Sequence, residues 1–310
     1  MTGGAGFIGS SLTDVLLKRG DEVIAIDNFN DYYSPARKRA NVAPFAGHPR
    51  YTLYETDFRN RQAVEDIFAQ HKPQAVAHIG AMGSVRYSVK HPHLYAEVNI
   101  NGTLNVLDAA QQVRVENFIF ASTSSVYGQT RKIPFVETDP TDRPLAPYPA
   151  TKKAGEVLCH AYHNMHGLNV TALRFFNVYG PKGRPDMMPF MVMESLARNK
   201  PITLFDNGQM HRDWTHIDDI ISGVVAAIDR PMGYEIINLG RGEPVLMSDF
   251  VQLAEEIVGK PATINVTPAP LSEPKITYAN VDKARRLLDY NPQTSIVEGL
   301  NRFWAWYQTA

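Results

Sequence analysis

Tyr148 and Lys152 stand four residues apart in Tyr148-Pro149-Ala150-Thr151-Lys152, and the residues that follow, Lys153 to His163, are mostly good helix formers. Pro149 suits a first helical turn, where its missing N–H costs nothing. On a helix, residues four apart share a face, so phenol and ammonium point the same way. A neighbouring cation favours phenolate and draws a tyrosine pKa down from about 10. A phenol titrating near neutrality is a general base. An exposed tyrosine and a solvated lysine reach the same spacing by chance, so the pair gains meaning only from its surroundings. Upstream, the predicted strand Glu116–Ala121 runs into Ser122-Thr123-Ser124-Ser125. Four successive hydroxyls at a strand's carboxyl end are either a polar loop bonded to its own backbone or a hydrogen-bonding wall facing a ligand.

Such groups need a scaffold, and the amino-terminal third offers one. Gly3, Gly6 and Gly9 form G-x-x-G-x-x-G, with Phe7 and Ile8 inside it, ahead of a helix predicted over Ser10–Arg19 and stopped by Gly20. Glycines so spaced permit a tight turn and the approach of a pyrophosphate to a helix N-terminus. The next predicted strand, Glu22–Asp27, ends in an acid 18 residues past Gly9. A carboxylate there accepts hydrogen bonds from an adenosine ribose diol and disfavours a 2′-phosphate. Together these features predict dinucleotide binding. The fingerprint ordinarily follows a strand and here opens the chain, so the expectation is a sheet lacking its central member and a weakened fold.

Strand and helix then alternate: strand Arg50–Glu55, helix Arg61–His71, strand Ala75–Ile79, one long helix Pro92–Gln112, strand Glu116–Ala121 and the helix carrying Tyr148. Strict alternation predicts a Rossmann-type, doubly wound parallel α/β sheet. Ligands meet such sheets at the carboxyl ends of strands. That rule places Asp57 and Phe58 beside an adenine, and Ile79 with the small residues after it, Ala81 among them, against the cofactor. His78 reads as a hydrogen-bonded core histidine. Further on, Asp218 is the predicted cap of a helix over Asp219–Asp229, and Ser248 of a helix running to Gly259.

The 310 residues carry a formal net charge of −1 and are 44% hydrophobic. No basic excess argues for nucleic acid, and no apolar run is long enough to span a membrane. Cys159 is the only cysteine, which excludes a disulfide frame, and His211 and His216 lack acid partners at metal-like spacing. The expectation is a cytoplasmic protein with no metal site.

The glycine triplet, Asp27, the hydroxyl run before Val126-Tyr127-Gly128, and Tyr148-x-x-x-Lys152 together resemble the extended short-chain dehydrogenase/reductase family, which includes NAD-dependent nucleotide-sugar epimerases and dehydratases. The resemblance covers essentially the whole chain. It implies that Tyr148 deprotonates a sugar hydroxyl, that Lys152 binds the nicotinamide ribose and lowers the tyrosine pKa, and that Thr123 bridges sugar and tyrosine. NAD would stay bound, take hydride from the sugar's C4 and later return it. Asn28, Asn99 and Phe176 join the cofactor set by the same likeness. A smaller carboxy-terminal α/β unit, residues 178–214 and 241–310, would hold the UDP-sugar; residues 1–177 with 215–240 would form the NAD-binding domain.

Dehydratases of the family carry Asp-Glu where Ser124-Ser125 stand, and decarboxylases typically carry an acid in that stretch. Two hydroxyls suit a carboxylate instead. The segment from Val170 through Gly183-Arg184-Pro185-Asp186-Met187 resembles that of UDP-glucuronate 4-epimerases, as do the runs Asp27–Tyr33 and Val85–Ser88. The likeness implies a bidentate contact from Arg184 to a C6 carboxylate, with Ser124, Ser125, Met187 and Arg86 around the sugar. Asn177 departs from the threonine frequent in that subfamily and is common in neutral-sugar epimerases. Arg212 would clamp the UDP phosphates, Phe205 touch the uracil and Glu273 accept a ribose hydroxyl, although the family usually has Gly-Asp at Ser272-Glu273. The rival activities are UDP-galactose-type epimerisation and UDP-glucuronate decarboxylation; the rival non-enzyme is an NAD-binding regulator. The helices over 92–112 and 149–166 resemble those through which family members pair as a four-helix bundle, which implies a homodimer.

Overall fold

The computed structural model describes residues 1–130 and 132–309. Its first helix, α1 (Phe7–Arg19), buries Leu12, Leu16 and Leu17 and ends at Gly20, whose φ of 100° lets its N–H return to the carbonyls of Leu16 and Leu17. β1 (Val23–Asp27), α2 (Pro35–Val42), β2 (Tyr51–Glu55), α3 (Arg61–His71) and β3 (Ala75–His78) follow. The helix expected over Pro92–Gln112 runs without interruption but widens to a π turn midway. After α4 (Val85–Lys90) come α5 (Pro92–Ala96), a five-residue π turn over Glu97–Asn101, and α6 (Gly102–Gln112). Single π turns inside helices often mark functional positions, and this one carries Asn99. β4 (Asn117–Thr123), α7 (Pro147–His166) and β5 (Val170–Phe175) complete the first run; both strands are buried at every residue.

Six strands, these five and β9 below, form one parallel sheet in the order β2-β1-β3-β4-β5-β9. The expected gap between β1 and β3 is occupied by Met1 and Thr2. Ile26 N–H donates to the Met1 carbonyl at 2.8 Å and Thr2 N–H to the Ala77 carbonyl at 3.1 Å. The expectation of a sheet without a central member is thereby corrected: two residues join its halves at the carboxyl end, where the glycine turn begins. One apolar layer covers the sheet with Leu12, Leu16, Ile220 and Val224, and a second with Val64, Ile67, Val106, Leu107 and Cys159. Helices on both faces explain why the central strands β4 and β5 are buried at every residue and carry no exposed polar face.

The rest of the chain comprises β6 (Asn177–Tyr179), α8 (Met188–Ala197), β7 (Ile202–Phe205), β8 (His211–His216), α9 (Ile217–Ile228), β9 (Tyr234–Leu239), β10 (Pro244–Leu246), α10 (Met247–Val258), β11 (Ile264–Thr267), α11 (Asp282–Leu288) and α12 (Ile296–Tyr307). Short sheets β10-β8-β6 and β11-β7 share a separate apolar cluster that includes Phe190, Trp214, Phe250 and Phe303. Two predicted caps move. α9 starts at Ile217, so His216 is its cap and its Nδ1 accepts the Asp218 N–H at 3.3 Å; Asp218 sits inside the first turn, where its charge complements the helix dipole. α10 starts at Met247 behind Leu246, without a side-chain cap, and Ser248 instead bonds the Asp249 carboxylate at 3.3 Å.

Candidate active site

At the carboxyl ends of β1, β2 and β3 a cleft is lined by Gly3, Gly6, Phe7, Ile8 and Gly9 on one side, and by Asp27, Asn28, Asp57, Phe58, Ile79 and Ala81 across from them. A Cβ on Gly9 would lie 2.1 Å from the Gly3 carbonyl oxygen, and Gly3, at φ +67°, would press one within 2.7 Å of Gly80. Only glycine allows this turn. No side chain caps α1, so its leading N–H groups remain for an anion. Asp27 is held at the wall by N–H groups of Ala5 at 3.1 Å and Phe29 at 2.9 Å. Each carboxylate oxygen keeps a lone pair for a diol. Asn28 donates to Asp57 at 2.7 Å, joining the ends of β1 and β2. A glycine path, a free helix end and an anchored carboxylate fit a dinucleotide.

The proton-transfer groups lie beyond that lining, on α7 and at the end of β4. A buried ion pair fixes their register. Arg174 on β5 donates to Glu156 from Nε at 2.8 Å and Nη2 at 2.9 Å, and Ser122 on β4 adds a bond at 2.6 Å. Lys152 is buried, with Nζ 4.2 Å from the Phe120 ring centroid. Desolvation draws its pKa down to about 8 against the pull of Cys159 and Glu156. Tyr148 is half-buried, edge-on to Tyr95 at 6.1 Å. Burial pushes its phenol up, while the Thr123 hydroxyl and the Arg184 charge pull it down. Desolvation of the phenol thus outweighs Thr123 and Arg184, and Lys152 is the group displaced toward neutrality. Thr123 Oγ1 accepts the Ser125 N–H at 3.2 Å and contacts Ser125 Oγ at 3.3 Å. Ser124 is buried in the same turn.

Two residues expected at the cofactor serve elsewhere in this geometry. Asn99 accepts the Met82 N–H at 2.8 Å and donates to the Met82 carbonyl and to Thr151, each at 3.0 Å. Its buried amide is satisfied internally and ties the cleft edge to α7. Phe176 is buried among Tyr127 and Phe135, outside the cleft lining.

The far wall is ionic. The Arg184 fork, expected to await a substrate carboxylate, is paired with Asp186 through Nε at 2.9 Å and Nη2 at 2.6 Å, while Nη1 donates to the Gly83 carbonyl at 3.2 Å. Although burial alone would lower it, Asp186 raises the Arg184 pKa above its ordinary value. Glu273 draws together Arg86 at 3.2 Å and Arg212 at 3.1 Å, and the Arg86 guanidinium lies 5.2 Å from the Phe205 ring. Arg212, Phe205 and Glu273, the three expected nucleotide contacts, thus meet, together with Arg86, expected near the sugar. Asn177 accepts the Thr277 hydroxyl at 2.9 Å, and Met187 borders a small second cavity that touches Arg184. Sequence reasoning missed Tyr32, Tyr33 and Lys38 as cleft residues. The aromatic pair lay inside a quoted motif, but nothing local marks Lys38, which α2 folds back to within 3.9 Å of Asp27. His78 is a core residue, its ring between the hydroxyls of Thr2 at 2.7 Å and Thr103 at 3.0 Å. Among the described residues no group of three or more His, Cys, Asp or Glu could hold a metal ion, and no helix is long and apolar enough to cross a membrane.

Known proteins share this arrangement. The chain is 40% identical to the UDP-glucuronate 4-epimerase of Thermodesulfobacterium geofontis, over 99% of this chain and 94% of that one. Among solved structures it resembles the UDP-glucuronic acid 4-epimerase of Bacillus cereus in complex with UDP-glucuronic acid and NAD, with a TM-score of 0.93, 36% identity, and coverage of 99% and 98% of the two chains. It also resembles the UDP-glucose 4-epimerase of Thermotoga maritima with UDP-glucose, with a TM-score of 0.92, 29% identity, and coverage of 99% and 97%. The family model for NAD dependent epimerases and dehydratases matches residues 1–240. With that match over most of its length and relatives of this identity, the chain belongs to the NAD dependent epimerase/dehydratase family.

Proposed function

We propose that the protein interconverts UDP-glucuronate and UDP-galacturonate by inverting C4 of the sugar. The observation that carries this reading is the hydroxyl run Thr123, Ser124 and Ser125 at the end of β4, close to Tyr148, with no carboxylate in it. Dehydration needs acids at that place; holding a carboxylate needs hydrogen-bond donors. The higher identity to the UDP-glucuronate enzymes, 40% and 36% against 29% for the UDP-glucose enzyme, supports the acidic sugar over a neutral one.

In this reading the glycine turn, the α1 N-terminus and Asp27 bind NAD, with Asn28, Asp57, Phe58, Ile79 and Ala81 along its adenosine half. Bound NAD supplies a reversible hydride acceptor. Tyr148 Oη removes and later returns the proton of the C4 hydroxyl, Thr123 orients that hydroxyl, and Lys152 holds the nicotinamide ribose. C4 oxidation leaves a β-keto acid, prone to losing carbon dioxide. Thr123, Ser124 and Ser125, with Arg184 as the cation across from them, keep the carboxylate out of the alignment that permits loss. Arg212 and Arg86 anchor the diphosphate, and Phe205, Glu273, Asn177 and Met187 complete the substrate side, so that the ring turns over while the nucleotide stays.

Residues 1–177 with 215–240 act as the cofactor domain and the remainder as the substrate domain. Val157 and Met165 are exposed apolar residues on α7 and favour pairing through that helix into a homodimer, which light scattering on a sizing column tests. A nucleotide-sugar substrate suits the cytoplasm. The function itself is tested by incubation with UDP-glucuronate. UDP-galacturonate is expected; UDP-xylose would make the protein a decarboxylase, no product a regulator, and turnover of UDP-glucose alone a neutral-sugar epimerase.

A further inference from the structure

Two loops from distant parts of the chain meet beside the cofactor cleft: residues 28–34, which follow β1, and residues 180–187, between β6 and α8. Tyr32 Oη donates to Asp186 Oδ2 at 2.8 Å. The same carboxylate takes Arg184 through two bonds, and Arg184 reaches on to the Gly83 carbonyl just past β3. The Arg184 guanidinium lies 5.6 Å from the Tyr32 ring, and that ring packs edge-on against Tyr87 at 5.0 Å. Tyr32, Gly83 and Arg184 all line the cleft. The Arg184 and Asp186 side chains are only 22% and 27% exposed, so water competes weakly for the pair. The proton chemistry uses neither Tyr32 nor Asp186.

We propose that Tyr32, Asp186, Arg184 and the Gly83 carbonyl form a clasp that joins the two walls of the dinucleotide cleft and sets how fast NAD leaves. The walls cannot part without breaking the phenol–carboxylate bond or the bond to Gly83. Asp186 is the positioning residue of the clasp. It fixes the arginine fork bidentately and offers the phenol a charged acceptor, the stronger kind of hydrogen bond. Desolvation keeps the Tyr32 phenol protonated, with its pKa above the ordinary value, so the clasp persists across neutral pH. This inference requires the NAD cleft and not the identity of the sugar, so it can fail or stand separately from the epimerase reading.

The test measures NAD exchange in the full chain loaded with NAD, by following replacement of bound NAD with radiolabelled NAD in the absence of any sugar. Tyr32→Phe removes one oxygen from a half-buried ring, and its exchange is expected to be about tenfold faster, the size of losing one hydrogen bond to a charged acceptor. Asp186→Asn is expected to be at least as fast. The double variant should fall well short of the product of the two single effects, because both changes act on the same bond. Melting temperature separates this from general loosening: a kinetic effect at parental Tm supports the clasp. Should Asp186→Asn not fold, Tyr32→Phe decides alone. Exchange of Tyr32→Phe at the parental rate, or multiplying effects in the double variant, overturns the proposal, as does a parent protein that loses NAD within minutes.

Discussion

The wall formed at the ends of β1, β2 and β3 and the wall formed by residues 177–276 face the same ligands with different materials. The first is mostly backbone: a glycine turn, free helix N–H groups and a carboxylate locked by two amides. The second is built of charged side chains that are neutralised internally, Arg184 by Asp186 and Arg212 by Glu273, which also holds Arg86 reaching in from α4. A backbone wall is set before the ligand arrives and pays little ordering entropy. An ion-paired wall must exchange its own carboxylates for those of the ligand, or share its arginines with them, and so can adjust as the ligand moves. That division suits a reaction in which the cofactor stays still while a sugar turns over.

Substitutions can break or sharpen this contrast. The largest effect is expected at the corner where the walls meet: Tyr148→Phe should lower kcat by about 10³-fold or more, the range of a lost general base, with NAD still bound on purification. On the backbone wall, Gly9→Ala should reduce NAD occupancy by about 100-fold, because the added methyl falls 2.1 Å from the Gly3 oxygen and backbone cannot yield; titration of NAD into the stripped protein measures it. On the ionic wall the two arginines should differ. Arg212 is buried and Arg86 is 54% exposed at the side chain. Arg212→Ala should raise KM by more than about 30-fold, since it removes a buried charge that water cannot replace. Arg86→Ala should raise it only severalfold, an effect that salt erases. Equal effects of the two would dissolve the distinction between anchored and adjustable arginines.

The smallest expected effect concerns stability. The folded pKa of Lys152, about 8, lies below its ordinary value of 10.5. Between those values the unfolded chain binds more protons, so the stability of the NAD-free protein should rise as pH increases from about 8 toward 10.5. Below pH 8 the full cost of burying the charge applies. Lys152→Met should therefore raise Tm at pH 7 by a few degrees, flatten that pH dependence and remove turnover, a trade of stability for function. Thermal melts across the window check the slope.

What the sequence disclosed follows the same boundary. The glycine turn, Asp27, Asp57 and the small residues after β3 were legible because each acts through local backbone geometry that residue type dictates. Hydrophobic alternation revealed the doubly wound sheet for the same reason. The two-residue bridge of Met1 and Thr2 was not, since no periodicity exists in so short a stretch. The internal contacts of Asn99 and Phe176 were not legible, because their partners, Thr151 and Met82 for one and Phe135 for the other, are remote in sequence. The pairing of Arg184 with Asp186 was hidden despite a separation of two residues: an arginine and an acid that close also occur on solvated loops, and only Tyr32, from the other wall, marks this pair as built. The desolvation of Tyr148 was not legible, because spacing reports a nearby cation and says nothing of burial.

One measurement addresses the central claim that a carboxylate-bearing sugar is oxidised and reduced at C4 beside Tyr148 without losing its carboxylate. UDP-glucuronate deuterated at C4 is incubated with the NAD-loaded protein in ordinary water, and the products are read by mass spectrometry. The account predicts UDP-galacturonate that retains deuterium at C4, because the hydride returns to the carbon it left. UDP-xylose, or UDP-galacturonate with deuterium washed out to solvent, would contradict it.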